Sequence, residues 1–118
     1  MNPEYMLSKD DIKQINEKYG GTLRSDAEIE TALFMGKGRS LYRKIAYLWR
    51  AVLVGRPFTD GNKRTALAFA EVLFESSGFK LNPDEEKRLI EAVIKISKDN
   101  LREINRIEGL IRHAVKKD

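Results

Sequence analysis

Apolar residues in this chain return every three or four positions, and never every second position over a useful length. A repeat of three to four places them on one face of a helix; a repeat of two would make a half-buried strand. The clearest block is Leu41, Ile45, Leu48, Trp49, Val52 and Leu53, which predicts a helix from about Ser40 that stops before Gly55. The chain is therefore expected to be all-α.

The other blocks sit between helix stops. Ser8 is placed to cap a first helix, with Asp10 and Asp11 at the positive end of its dipole and Ile12 and Ile15 inward. Gly20-Gly21 ends it. Ser25 and Glu28 form a capping-box pattern for a second helix carrying Ile29, Ala32 and Leu33 inward, and Gly36 and Gly38 break the chain again. After a loop from Gly55 to Gly61, in which Pro57 halts helix propagation, a fourth helix starts at Asn62 and buries Ala66, Phe69, Ala70 and Leu73. Gly78 terminates it. Asn82-Pro83 with Glu85 opens a fifth helix, with Leu89, Ile90, Val93 and Ile96 inward. The last is expected from near Asn100, presenting Leu101, Ile104, Ile107, Ile111 and Ala114. The expected architecture is a bundle of about six helices in a single domain, residues 1–118. At this length roughly two-thirds of the unfolded surface can be buried, enough for one core.

Composition removes several function classes. The chain has no cysteine, so disulfides, thiolate zinc sites and a cysteine nucleophile are excluded. No apolar run approaches the roughly 20 residues of a membrane span, and the N-terminus lacks a signal-peptide core. A soluble cytoplasmic protein with no membrane partner is expected. The net charge of +4 and pI of about 9.4 are compatible with a nucleotide, a nucleic acid or an acidic protein, without choosing among them. The charges read as interspersed, most of them on solvated helix faces.

Chemistry concentrates in Gly55-Arg56-Pro57-Phe58-Thr59-Asp60-Gly61-Asn62-Lys63-Arg64-Thr65. The first N–H groups of a helix lack partners within it and lie at the positive end of its dipole. Asn62, Lys63 and Arg64 would supply such groups, and Gly61 would let the backbone approach a bound anion. Arg64 offers a planar fork for phosphate oxygens and Lys63 a mobile point charge. Asp60 is placed to hold Mg2+, which prefers one carboxylate plus phosphate oxygens. Phe58, apolar in a polar loop, is expected to plug into the core. An ordinary turn with an Asn or Asp cap would also explain Gly61 and Asn62. It explains neither the adjacent Lys63 and Arg64 nor the aromatic residue at 58.

These residues resemble the central motif of the Fic/Doc family, His-x-Phe-x-Asp/Glu-Gly-Asn-Gly/Lys-Arg. Phe58, Asp60, Gly61, Asn62, Lys63 and Arg64 match it in order. Lys63-Arg64-Thr65-Ala66-Leu67 resembles the Doc (death-on-curing) branch, since Fic enzymes usually carry glycine at the position of Lys63 and a second arginine at that of Leu67. Tyr19-Gly20-Gly21 followed by Ser25-Asp26 is similar to the N-terminal part of Doc-like proteins. The resemblance implies an all-helical fold, with ATP or another nucleotide and Mg2+ as cofactors. It also implies transfer of a phosphate or a nucleoside monophosphate to a hydroxyl of a target protein. Doc-type members are toxins of toxin–antitoxin pairs, so an antitoxin partner and a translation-component target are implied as well.

One position departs from that pattern: the family's catalytic histidine is replaced by Arg56. A general base needs a pKa near the working pH and contributes about 10²–10⁴ in rate. Arginine stays protonated and has no acceptor, so Arg56 cannot take the proton and is expected instead to add a cationic grip on phosphate. Three explanations stand side by side: a non-catalytic member that binds nucleotide or a partner, use of another base with Asp60 the nearest carboxylate, or a position altered to silence a toxin. The sole histidine, His113, lies in the last helix beside Arg112 and Lys116 and reads as a helix-end residue.

Two weaker patterns read as ordinary structure. Glu108-Gly109 matches half of the inhibitory helix of many Fic proteins, but Ile104 stands where a serine or threonine is required, so Glu108 reads as a surface glutamate. Gly36-Lys37-Gly38-Arg39-Ser40 lacks P-loop spacing and reads as a helix connection, too short for the flap that aligns target segments in many Fic enzymes. The functional readings are a Doc-like nucleotide site with impaired transfer, transfer through an unusual base, and a binding module without nucleotide chemistry. No DNA-reading helix or exposed aromatic run is present, so nucleic acid is not the expected partner.

Overall fold

The structure, a computed structural model, describes residues 7–115. It is all-α: α1 (Lys9–Glu17), α2 (Ala27–Gly36), α3 (Leu41–Trp49) continued by a π-helical turn (Arg50–Val54), α4 (Asn62–Ser76), α5 (Pro83–Asp99) and α6 (Ile104–Ala114). There is no strand among the described residues; the one extended pairing is an isolated antiparallel bridge between Leu23 and Phe58.

Three helix starts form as their sequence dictates. The Ser8 side chain accepts from Asp11 N–H at 3.0 Å and Asp11 returns the bond to Ser8 N–H at 2.9 Å, a reciprocal cap for α1. Ser40 accepts from Arg43 N–H at 3.2 Å. Asn82 and Glu85 close the same reciprocal box on α5, with Pro83 at the first helical position, where its missing N–H costs nothing. Gly78, at φ +88°, follows the end of α4 as expected.

Four expectations need correction. α2 begins at Ala27 after Asp26, with no side-chain cap, so the predicted Ser25–Glu28 box does not form; Ser25 Oγ makes only a 3.4 Å contact with Ala27 N–H. The third helix does not run through to Leu53 as regular α-helix but widens into the π turn, closed by Gly55 N–H on Arg50 C=O at 3.2 Å. The last helix starts at Ile104, because Asn100 (φ +49°) turns left-handed and ends α5, with Leu101 N–H bonded back to Ile96 C=O at 3.0 Å. Ile90 is 43% exposed, since Leu89, Ala92, Val93 and Ile96 already fill the inward stripe of α5.

From Ile45 to Val54 every residue but Arg50 is buried, which puts α3 and the π turn at the centre of the bundle, against α2, α4 and α6. Trp49 is fully buried, and its indole N–H donates to the Ala66 carbonyl at 3.0 Å. Burying an indole demands such a partner, and this one ties the end of α3 to the first turn of α4. Tyr42, Phe74 and Phe79 pack edge-to-face around the α3–α4 contact, with centroids 5.2–6.3 Å apart. The two ends of the loop joining these helices are therefore fixed by the core.

No helix among the described residues is long and apolar enough to cross a membrane.

Candidate functional site

The loop between the π turn and α4 is held from both sides. Gly55 packs against the Glu28 carboxylate; a Cβ there would collide with Glu28 Oε2 and with the Ala51 carbonyl. Pro57 and Phe58 are buried, and Phe58, 1% exposed, plugs the core as its isolation in a polar loop predicts. Beside it runs the segment after α1. Thr59 N–H donates to Thr22 C=O at 2.9 Å, Arg24 N–H donates to Pro57 C=O at 2.7 Å, and Thr22 N–H donates to Thr59 Oγ1 at 2.9 Å. The Asn62 side chain closes the turn, its Oδ1 accepting from Phe58 N–H and its Nδ2 donating to Phe58 C=O.

A residue that the sequence reading missed sits at the corner. Asn16, 1% exposed on α1, donates through Nδ2 to the Asp60 carbonyl at 2.8 Å and to Thr65 Oγ1 at 3.0 Å. A signal was available, because Asn16 lies four residues after buried Ile12, a polar side chain on the apolar stripe of its helix. The backbone must come close to it. A Cβ on Gly21 would collide with Asn16 Oδ1 and the Asp60 carbonyl, and one on Gly61 would lie 2.7 Å from Tyr19 Cβ. Gly61 also has φ +74°, a conformation that excludes most side chains. The glycine at 61 is thus accounted for by the turn and by Tyr19.

α4 begins at Asn62, with Gly61 at the N-cap position and no side-chain cap, and its first bond runs from Thr65 N–H to Gly61 C=O at 2.9 Å. Among the described residues no acceptor meets the N–H groups of Asn62, Lys63 or Arg64. α2 and α6 also lack side-chain caps, but the charges at α4 run against its dipole. Where α1 and α5 carry acids in their first turns, α4 carries Lys63 and Arg64 and no acid. A cation at the positive end of a helix is disfavoured by about 0.3–1 kcal/mol, a penalty that a bound anion reverses.

These groups border an open polar cleft of about 540 Å³. Arg56, Asp60, Gly61, Asn62, Lys63 and Arg64 all line it, so the chain's folding brings the six sequence-picked residues to one place. Asp60 is exposed, and one carboxylate oxygen, Oδ1, accepts from Gly61 N–H at 2.8 Å. Arg64 lies over the Tyr19 ring at 6.0 Å, and Lys63 has no ion-pair partner among the described residues. Arg56 is exposed in a left-handed conformation (φ +49°), and its Nη2 reaches across to the Ser97 carbonyl at 3.4 Å, near the end of α5. The negative end of that helix suits a cation.

Charge is less evenly spread than the composition reading held. From Thr31 to Thr59 the chain has six cations and no acid, and Arg56 belongs to that stretch. The remaining sequence-picked features lie elsewhere. His113 is exposed on α6 and does not line the cleft; its neighbour Lys116 lies outside the described residues. Glu108 is not a free surface glutamate: its side chain is 14% exposed and sits between Arg43 (2.6 Å) and Arg112 (2.8 Å), joining α6 to α3. Gly36 to Ser40 is a helix connection.

A family profile described as the Fic/DOC family matches residues 6–74, more than half of the chain. Neither curated proteins nor solved structures gave a match to the chain. The matched region runs from the start of α1 through nearly all of α4 and contains the whole loop and the first turn above it. The chain belongs to the Fic/DOC family.

Proposed function

We propose that the chain is a Doc-like member of its family that binds a nucleotide through its phosphates, with transfer impaired because Arg56 stands at the position of the catalytic histidine. The observation that carries this reading is the start of α4. Three N–H groups there have no acceptor among the described residues, and two cations stand where the helix dipole disfavours them, on the wall of a polar cleft. Unpaired N–H groups at a helix start, with an arginine fork beside them, are the chemistry of phosphate binding.

Mg2+ fits this site only in company. No cluster of three or more carboxylate, histidine or cysteine side chains occurs among the described residues, so the protein alone provides no cage. Asp60 has one carboxylate oxygen on Gly61 and the other open, which suits an ion brought in by phosphate oxygens. Bound there, the ion would neutralise phosphate charge. Arg56 is a permanent cation without an acceptor and takes no proton from an attacking hydroxyl. Its αL backbone and its bond to Ser97 fit a structural and anion-facing role better than a basic one. The Doc likeness of Lys63 to Leu67 extends the proposal to a toxin-derived protein of the cytoplasm, with an antitoxin as partner and a translation component as target.

Calorimetric titration with ATP and Mg2+ tests the reading, on this chain and on Arg56→His. Magnesium-dependent binding that Arg64→Ala abolishes is the expected result, with labelling of a target protein from radioactive nucleotide appearing only in Arg56→His. No binding at millimolar nucleotide rejects the site. Labelling by the unaltered chain that disappears in Asp60→Ala would show that another base serves and that transfer is intact.

A further inference from the structure

Arg50 is the one residue between Ile45 and Val54 that is not buried, and it opens the π turn. The wider bonding of such a turn rotates side chains out of the α-helical phase, and turns of this kind are frequent at functional sites. Here Arg50 lines a groove of about 310 Å³ between α2 and the π turn, which shares no lining residue with the polar cleft described above.

Two arginines meet in this groove. The Arg50 guanidinium lies over the Tyr47 ring at 5.5 Å and donates to the Arg102 carbonyl at 3.2 Å. The Arg102 side chain lines the groove as well, and neither arginine has an ion-pair partner among the described residues. Arg43, which also approaches the Tyr47 ring, is by contrast paired with Glu108. Glu28 is the one acid on the described lining, and it packs against Gly55 without pairing with either arginine. The α2 wall is apolar. Met35, 40% exposed, lines it with Ala27 and Ala32, and Phe34 beside it is 77% exposed. Phe34 lies one turn after Thr31, another lining residue, which places it on the rim. Arginine, methionine and aromatic residues in one patch have the make-up of an interface.

We infer that this groove docks a partner polypeptide that presents a carboxylate beside an apolar side chain. Arg50 and Arg102 take the carboxylate, and Met35 and Phe34 cover the apolar group. Charge complementarity selects this occupant. A second copy of the chain brings another net charge of +4 and is repelled. A nucleic-acid backbone satisfies the arginines but leaves Met35 and the alanines uncovered. Docking needs no nucleotide, so it stands or falls apart from the site proposed above.

NMR titration of the isotope-labelled full chain tests it, with a short peptide of repeated Glu-Glu-Leu-Leu as the probe. The same peptide with glutamine in place of glutamate, and an oligouridylate, serve as controls. Resonance shifts confined to α2, the π turn and Arg102 are expected with the acidic peptide. The glutamine peptide, or Arg102→Ala with the acidic one, should bind roughly tenfold more weakly, as for a lost charge-assisted hydrogen bond. Phe34→Ala should weaken binding roughly fivefold. Both variants should keep the thermal unfolding midpoint of the unaltered chain, since both side chains are exposed. No shifts at millimolar peptide, equal binding of the glutamine peptide, or shifts centred on Lys63 and Arg64 overturn the inference. So does tighter binding of the oligouridylate in the groove. Groove shifts that grow with protein concentration in the absence of peptide would make a second copy the occupant and overturn it too.

Discussion

Asn62 holds both backbone polar groups of Phe58, accepting from its N–H at 3.2 Å and donating to its carbonyl at 2.9 Å. One side-chain amide thereby does the work of a backbone ladder and shuts the turn on which Asp60 and Gly61 sit. The bond pair also keeps the Asn62 side chain occupied, so what this residue can offer an anion is its backbone N–H. Asn62→Ala should leave two part-buried groups of Phe58 unsatisfied and lower stability by about 1–3 kcal/mol. Asn62→Asp keeps the acceptor and loses the donor, and should also destabilise. Denaturant unfolding of the two variants checks the order, and nucleotide titration should show binding lost in Asn62→Ala.

Gly20 and Gly21 are adjacent but constrained differently. Gly20 (φ +79°) has nothing within 4 Å of a Cβ, whereas a Cβ on Gly21 meets Asn16 and the Asp60 carbonyl. Gly20→Ala should cost about 1 kcal/mol, for backbone strain alone. Gly21→Ala should cost about 1–3 kcal/mol, because overpacking must push Asn16 or the Asp60 turn aside. Only the second should also weaken phosphate binding. Paired unfolding and titration measurements separate the two.

Arg56 is a non-glycine residue in the left-handed region, tied only by a long bond to Ser97. A left-handed conformation costs a side-chain-bearing residue about 1–2 kcal/mol, more than a long, part-buried 3.4 Å hydrogen bond returns. Arg56→Gly should therefore leave unfolding stability equal to or above that of the unaltered chain. A loss of more than about 1 kcal/mol in urea unfolding would mean that the Ser97 contact outweighs the strain.

Partial burial pushes the Glu71 carboxyl above the usual range, helped by Glu86 on α5 and by Glu75 one turn along α4. An acid whose folded pKa is raised favours the folded state while it is protonated. That contribution is complete below the unfolded value and is lost as pH rises through the folded one. Glu71→Gln removes the charge and should raise the thermal midpoint at pH 7. The difference from the unaltered chain should shrink toward zero as the pH falls below 4. Melts across that range check the sign.

Much of this molecule was legible in local patterns. Caps such as Ser8 and Asn82 depend on partners three residues away, and the inward stripes depend on a period of less than four. Short-range order of that kind is written into the chain itself. The residues around Arg56 to Arg64 could be picked out for the same reason: an acid, a glycine and two cations are consecutive there. The π turn was not legible, because Arg50 to Val54 are as suited to regular helix as their neighbours. Nor was the late start of α6, where Leu101 extends the apolar spacing while Asn100 turns the chain away.

By itself, then, the sequence determined six helices and which loop gathers charge. Tertiary structure decided that the loop is clamped between Asn16, Thr22 and Arg24, that Arg56 leans on the end of α5, and that Arg24 shares the cleft. Those contacts join residues such as Asn16 and Asp60, 44 positions apart. Whether such residues meet depends on how whole helices pack, and no repeat of three or four along the chain carries that information.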